Sequence, residues 1–247
     1  MLTPKHLWRW NNPMNIKENR PRAGIYKIGA ISAASIVLVY LIELVIIVVY
    51  GLPPSTAEGW FGALQKDRLI GLIQTLALDL LAETAHVTLL VALFFLLNQT
   101  KKLTGTLVLS CAFALIGFAV YFATNITFSM LSLSDQFAAA ASEAQKSQLL
   151  TSGQTLLAVY NGSGPFVAFF LLALSGILIS IVMLRSQVFA KWVAIIGIVG
   201  YTLELGLPPS IDPAWFLKID PILIGIGGVI LIVWYIAIAV KLIEMSK

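Results

Sequence analysis

Six long apolar runs divide this chain of 247 residues. A helix needs about 20 apolar residues to cross the hydrocarbon core of a bilayer. Backbone polar groups in hydrocarbon must bond within their own segment, so runs of this length are predicted to be helices. The predicted spans are residues 28–50, 69–97, 103–131, 154–184, 192–207 and 221–240. Only 11% of the residues are charged, against about 25% in soluble domains. The sequence therefore predicts an all-α, polytopic membrane protein, with six transmembrane helices in one bundle and short loops.

Lysine and arginine are distributed unevenly between the two faces of this predicted bundle. Twelve of the 16 lie on the face that holds both termini, and four lie on the other. The positive-inside rule therefore predicts that both termini are cytoplasmic. Residues 1–24 would form a basic cytoplasmic segment, and residues 25–247 the six-helix transmembrane domain. The basic face predicts contact with anionic lipids of the inner leaflet, and the sequence has no motif for binding nucleic acid. An oligomer is compatible with the sequence.

Several loop features predict local structure. Aromatic residues near the span ends are predicted to anchor the helices at the two membrane interfaces; they include Tyr50, Trp60, Phe61, Tyr160, Trp215 and Phe216 outside, and Trp8, Trp10, Tyr26, Trp192, Trp234 and Tyr235 inside.

The motif Gly-Leu-Pro-Pro-Ser occurs at 51–55 and again at 206–210, each followed by Trp-Phe at the same spacing, through duplication or convergence. A surface helix is predicted in the third outer loop, capped by Ser134 and ending near Gly153.

The fourth apolar run contains two glycines and a proline at residues 161–165. Such a segment either breaks a membrane helix beside a binding site or marks an interfacial turn from which the membrane helix begins. Both interpretations stay open from the sequence. In either case Asn161 lies in the outer half of the predicted bundle, at the same depth as Asn125.

Four carboxylates and a histidine lie inside the apolar runs without any lysine or arginine: Glu43, Asp79, Glu83, His86 and Glu204. An ionised acid that faces lipid at the centre of a helix costs roughly 2.5 to 3.5 kcal/mol on insertion scales. Four of them would cost on the order of 10 kcal/mol, comparable to an entire folding free energy. We therefore expect the acids to face the interior, where a proton, a bound cation or a dipolar cage balances them.

Asp79, Glu83 and His86 are spaced four and three residues apart, so they project from one face of a helix. Glu83 and His86 also have the Glu-x-x-His spacing of carboxylate metal sites in helical bundles. Such sites need a second copy of the motif, which this sequence lacks, and two histidines cannot supply a three-histidine zinc site. Any metal would have Glu83 and His86 as ligands, and no cofactor is strongly implied.

Depth along the helices groups the remaining polar residues. Glu43, Asp79, Asn125, Asn161 and Glu204 fall in the outer half of the predicted bundle, with Glu83 and His86 nearer the midplane. This pattern predicts an outward-facing acidic site, with Glu43 and Asn125 shaping its entrance. The alternative is that protonated acids hydrogen-bond to neighbouring helices and only hold the bundle together.

The chain resembles a family of uncharacterised bacterial six-helix membrane proteins that is defined only as a domain of unknown function. The resemblance lies in residues 70–97 followed by Asn-Gln-Thr-Lys-Lys, and in residues 169–184 followed by Arg-Ser-Gln-Val-Phe-Ala-Lys-Trp. It covers most of the chain, from about residue 26 to residue 242, and implies six helices but no activity.

Three functions are compatible with these features. The first is a multi-pass protein of the bacterial cytoplasmic membrane that binds a small ligand or cation at Asp79, Glu83, His86 and Glu43, with transport coupled to protons as one use of the site. The second is a membrane scaffold or regulatory partner that transports nothing. The third is an intramembrane enzyme with one metal on Glu83 and His86. No nucleotide-binding, serine-hydrolase or haem-attachment motif supports a more specific enzyme.

Overall fold

The computed structural model describes residues 22–205 and 216–247, and within these residues the chain is helical with no strand. One helical segment contains a π-helical turn, Ile73–Ala77. The α-helices are α1 Ala23–Tyr50, α2 Ala57–Lys66, α3 Arg68–Leu72, α4 Leu78–Asn98, α5 Thr104–Thr124, α6 Thr127–Ala139, α7 Glu143–Tyr160, α8 Ser163–Ser186, α9 Lys191–Leu203 and α10 Phe216–Met245.

Five helical segments of the described residues are long and apolar enough to cross a membrane: Ala23–Tyr50, Arg68–Asn98, Thr104–Ala139, Glu143–Ser186 and Leu223–Met245. The helix at the predicted fifth span, Lys191–Leu203, is apolar but has only 13 residues. Exposed side chains on these helices are largely Ile, Leu, Val and Phe, as lipid contact requires. The fold is thus that of a multi-helix membrane protein.

The bundle consists of α1, α4, α5, α8, α9 and α10. Helix α1 packs against α4 and α10, α5 packs against α8, and α9 lies between α8 and α10. Close packing depends on small residues: a Cβ atom added at Gly29 of α1 would lie 2.3 Å from the Cβ of Ala92 on α4. Buried Ser110 of α5 donates or accepts a hydrogen bond at 3.0 Å with Ser175 of α8. Small residues and interhelical hydroxyls are the usual basis of helix association in membranes.

A second hydrophobic core lies outside this bundle, formed by α2, α6 and α7, which we call the cap. Its centre holds Trp60, Phe61, Met130 and Leu157, each at most 3% exposed. The cap lies at the end of the bundle where α1 and α5 finish and α8 begins, because α2 follows α1, α6 follows α5, and α7 precedes α8. The prediction of Trp60 and Phe61 as lipid anchors is therefore wrong: their rings fill a protein core.

The loop between α5 and α8 also differs from the prediction. Ser134 does not cap a helix; it lies inside α6, buried, and donates a hydrogen bond to the carbonyl of Phe61 at 3.2 Å. Apolar residues continue along α6 as far as Ala139. The N-terminal capping residue of α7 is Ser142, whose side chain accepts a hydrogen bond from the Gln145 amide.

Two of the predicted spans are each interrupted. The span at 103–131 divides at Asn125, between α5 and α6. The span at 154–184 divides at Asn161 and Gly162, and Pro165 falls in the first turn of α8, where a missing backbone donor costs nothing. The structure therefore has a turn in this segment, from which α8 begins.

The first Gly-Leu-Pro-Pro-Ser copy ends α1 at Gly51, whose φ of 85° is in the left-handed region that glycine accepts without strain. The second copy, at 206–210, and the following Trp215 lie outside the described residues, as does the basic segment before residue 22.

Candidate functional site

A cavity of about 760 Å³ lies within the bundle, enclosed by residues of α1, α4, α5, α8, α9 and α10. Small-molecule sites in proteins commonly have volumes of roughly 300 to 1,000 Å³. One end is bounded by Tyr160, Asn161, Gly162 and Glu204, at the junction with the cap, and this end is called the mouth below. The walls are mostly apolar, and their polar side chains are Tyr40, Glu83, His86, Tyr160, Asn161, Ser175, Tyr201, Glu204 and Tyr235.

His86 is the centre of a polar network that crosses the cavity wall. Its Nε2 atom lies 2.9 Å from the hydroxyl of Tyr235 on α10, which lies 2.9 Å from the hydroxyl of Tyr201 on α9. The hydroxyl of Tyr40 on α1 is more distant from Nε2, at 3.5 Å. Side chains of four helices are thus joined in one network that includes the imidazole ring, and the network can pass a proton between neighbouring hydroxyls.

The other side of the His86 ring faces Glu83, one turn earlier on α4. Nδ1 lies 3.3 Å from Glu83 Oε2, but the two atoms are not aligned for a hydrogen bond. Both atoms are buried, and neither has a hydrogen-bond partner among the described residues. Buried polar atoms without hydrogen bonds are costly, so an added proton or ligand that bonds to this pair would be stabilising.

Asp79 does not line the cavity. Its Oδ2 atom accepts a hydrogen bond at 2.6 Å from the hydroxyl of Tyr121 on α5. The structure therefore gives Asp79 a partner in the protein and leaves Glu83 as the carboxylate of the α4 stripe that reaches the cavity.

Asn125 serves the helix junction and does not reach the cavity. Its side-chain amide donates to the carbonyl of Thr75 at 3.2 Å, and its Oδ1 accepts from the Thr127 amide at 3.0 Å. The hydroxyl of Thr127 donates to the same Thr75 carbonyl at 2.8 Å. Thr75 lies in the π-helical turn, where the altered pattern of backbone hydrogen bonds leaves carbonyl groups free to accept hydrogen bonds from other segments.

The remaining predicted residues lie in different places. Glu204, at the end of α9, lines the cavity at the mouth, and Asn161 lies exposed at the same end. Glu43 is half-buried on α1 and does not line the cavity, although it is close enough to Asp79, Glu83 and His86 to interact with them electrostatically. Of the seven predicted site residues, the structure brings together Glu83, His86, Asn161 and Glu204 around one space, and it places Glu43, Asp79 and Asn125 outside it.

Three residues that sequence reasoning did not include complete the site: Tyr40, Tyr201 and Tyr235. Tyr235 and Trp234 were predicted as anchors at the inner interface, and this is wrong, because each is only 2% exposed and both line the cavity. A tyrosine hydroxyl inside an apolar run needs a partner as much as a carboxylate does, and that signal was present at Tyr40 and Tyr235.

Within the described residues, no group of three or more His, Cys, Asp and Glu side chains is arranged to hold a metal ion. Glu83 and His86 alone could supply two ligands. Comparisons with protein-family models, with curated proteins and with solved structures find no match to this chain. The candidate function therefore depends on the cavity and the residues around it.

Proposed function

We propose that this protein is a six-span protein of the bacterial cytoplasmic membrane, with both termini in the cytoplasm, that binds a small ligand or cation in the cavity and exchanges a proton at Glu83 and His86. The observation that carries the proposal is the buried pair Glu83 Oε2 and His86 Nδ1, 3.3 Å apart and without a hydrogen bond among the described residues, in the wall of a cavity of about 760 Å³. Membership of the bacterial family that the sequence resembles stays a prediction.

The outward orientation is supported by agreement between charge and position. The mouth lies at the end of the bundle where α1 and α5 finish and where the cap is attached. The positive-inside rule predicts that this end, poor in lysine and arginine, faces away from the cytoplasm. Counting α9 as the fifth of six spans requires residues beyond Leu203, and the apolar run continues to residue 207.

The proposed proton exchange follows from the chemistry of the pair. Glu83 and His86 can share one titratable proton, either as a neutral pair with the proton on Glu83 or as an ion pair with the proton on His86, and loss of that proton leaves the pair with one negative charge. A cation that enters the cavity competes with a proton for Glu83, because both neutralise the same carboxylate. The Tyr201 and Tyr235 hydroxyls give that proton a path away from the ring. This competition would couple the binding of a cation to the release of a proton.

Thiol accessibility tests the outward-facing cavity. In a Cys111→Ser background, which removes the only cysteine of the sequence, cysteines are introduced at Asn161, at the mouth, and at Leu90, deeper in the cavity wall. A membrane-impermeant thiol reagent added outside whole cells should modify both. Leu96→Cys is the control, because Leu96 is also on α4 but fully buried in the bundle core and away from the cavity.

Modification of Asn161→Cys and Leu90→Cys only in inverted membranes would show that the cavity opens to the cytoplasm. Protection of Leu90→Cys from both sides, equal to that of Leu96→Cys, would reject an open cavity.

A scaffold that transports nothing is the second candidate, and the cap favours it. The cap has its own core and extends from the bundle, as a docking module would. A scaffold would keep its function after Glu83 and His86 are both replaced by glutamine, whereas a ligand site would not.

A further inference from the structure

We propose that the ligand of this cavity is a hydrophobic organic cation, with an ammonium or phosphonium centre carried on an aromatic or aliphatic body. This inference rests on the proposed function and names the class of molecule that the site would take. It follows from the charges, the rings and the apolar surfaces of the cavity walls.

The charge of the walls favours a cation. Glu83 of α4 and Glu204 at the end of α9 both line the cavity, whereas no lysine or arginine is among its described lining residues. The one basic group in the wall, His86, already faces Glu83 at 3.3 Å. Glu204 lies three residues after Tyr201, which also lines the cavity and bonds through Tyr235 to His86.

The aromatic content of the walls favours an organic cation over a metal ion. Aromatic rings attract a cation placed over their faces, by about 2 kcal/mol or more where water is excluded. Rings are contributed by all parts of the wall, including Tyr40, Phe118, Tyr160, Phe166, Phe169 and Trp234. Alkali and alkaline-earth ions instead need a tight shell of six or more oxygen ligands. A space of about 760 Å³ whose hydroxyls already bond to one another does not provide that shell.

The apolar surfaces favour a ligand with a large hydrophobic body. Many of the lining side chains have no polar atom, among them Leu89, Leu93, Ala114, Leu172, Ala173 and Ile179. A small hydrated cation would leave this surface in contact with water. A body of several rings or methylene groups would cover it, at about 25 cal/mol for each Å² of apolar area removed from water.

One feature of the mouth points in the opposite direction. Helix α8 begins at Ser163 beside the mouth, without a side-chain cap, and free backbone amides at a helix start favour an anion. The experiment must therefore compare a cation with an anion of the same shape.

Tetraphenylphosphonium and tetraphenylborate are such a pair, because they differ in the sign of the central charge. Binding of each is measured by equilibrium dialysis to the full-length protein in lipid nanodiscs, with empty nanodiscs subtracted. The variants are Glu83→Gln, Glu204→Gln and the cavity-filling Ala173→Trp. Glu143→Gln is the control, because Glu143 is an exposed residue of the cap that pairs with Lys146.

We expect saturable binding of the phosphonium and at least tenfold weaker binding of the borate. Each of Glu83→Gln and Glu204→Gln should weaken phosphonium binding by about tenfold or more, as removal of one partner of a desolvated charge pair does. Ala173→Trp should abolish binding, and Glu143→Gln should not change it. Circular dichroism and thermal melting of each variant confirm that a loss of binding is not a loss of fold.

Equal binding of the two ions, both lost in Ala173→Trp, would overturn the cation inference while leaving the proposed ligand cavity intact. Failure of both ions to bind would overturn the inference as well, and the thiol experiment would then decide whether the cavity itself is open. Proton release into weak buffer on phosphonium binding, absent in Glu83→Gln, would separately support proton exchange. Cation binding without proton release would contradict only that part of the proposed function.

Discussion

The Tyr235 hydroxyl contacts two partners, and the buried network depends on it. It lies 2.9 Å from His86 Nε2 and 2.9 Å from the Tyr201 hydroxyl. Replacement by phenylalanine keeps the ring and leaves both partners without their bond in a region away from water. We expect Tyr235→Phe to lower the free energy of unfolding by about 1 to 3 kcal/mol, measured by equilibrium unfolding in mixed micelles.

Tyr201→Phe should have a smaller effect than Tyr235→Phe, because the Tyr201 hydroxyl forms only one of these bonds. Tyr50→Phe is the control: its ring is 59% exposed, and we expect a change within about 0.5 kcal/mol. Equal stabilities of Tyr235→Phe and Tyr50→Phe would show that the network contributes nothing to folding.

Single residues also show which part of the site is predictable from sequence. Glu83 and His86 lie on one helix, so their spacing of three residues fixes their relation before any fold is known. Tyr40, Tyr201 and Tyr235 come from three further helices, and their meeting depends on how those helices are rotated against α4. Composition carries no information on that rotation. Asp79 shares the stripe but is held by Tyr121, a partner that only the packing of α4 on α5 supplies.

The helix junction at the π-turn is stabilised by a carbonyl that two side chains share. Asn125 and Thr127 both donate to the carbonyl of Thr75, and so join the start of α6 to the segment that leads into α4. Thr127→Val keeps the shape and removes the shorter bond, within a site where Thr127 is 1% exposed. We expect a loss of about 1 to 3 kcal/mol in the free energy of unfolding.

Thr155→Val is the matched control, because the hydroxyl of Thr155 is exposed and bonds within its own helix. The double variant Asn125→Ala with Thr127→Val should differ measurably from the sum of the single changes, since the two residues share one acceptor. Additive effects would show that the residues act independently.

Helix boundaries were predictable where they depend on local signals and not elsewhere. The ends of α1 and α4 agree with the apolar runs within a few residues, because Gly51 and the polar residues after Leu97 stop the pattern. The breaks at Asn125 and at Asn161 fall inside continuous apolar runs. Hydropathy cannot distinguish an apolar residue that faces lipid from one that faces the core of the cap, so the predicted spans include the start of α6 and the end of α7.

Close approach of α2 and α7 holds the cap together. A Cβ atom added at Gly153 of α7 would lie 2.9 Å from the Ala57 Cβ atom and 2.9 Å from the Phe61 ring. Gly153→Val should therefore separate the two helices, at a cost of about 1 to 3 kcal/mol for overpacking. We expect amide hydrogen exchange across α2 to become about tenfold faster or more, while exchange in α1 and α4 stays unchanged.

Gly62→Val is the control for this substitution, because Gly62 is on α2 of the same cap and nothing lies within 4 Å of an added Cβ atom. Faster exchange throughout the bundle in Gly153→Val would show that the cap and the bundle unfold as one unit. No change in exchange would show that α7 can shift to accept the larger side chain.

The mouth of the cavity is built at the joint between α7 and α8, since Tyr160 ends one helix and Gly162 precedes the other. A molecule that binds the cap can therefore act on the mouth without contact with most of the bundle. An antibody fragment that binds α7 should therefore change the shape of the mouth. The rates at which a ligand enters and leaves the cavity would measure that change.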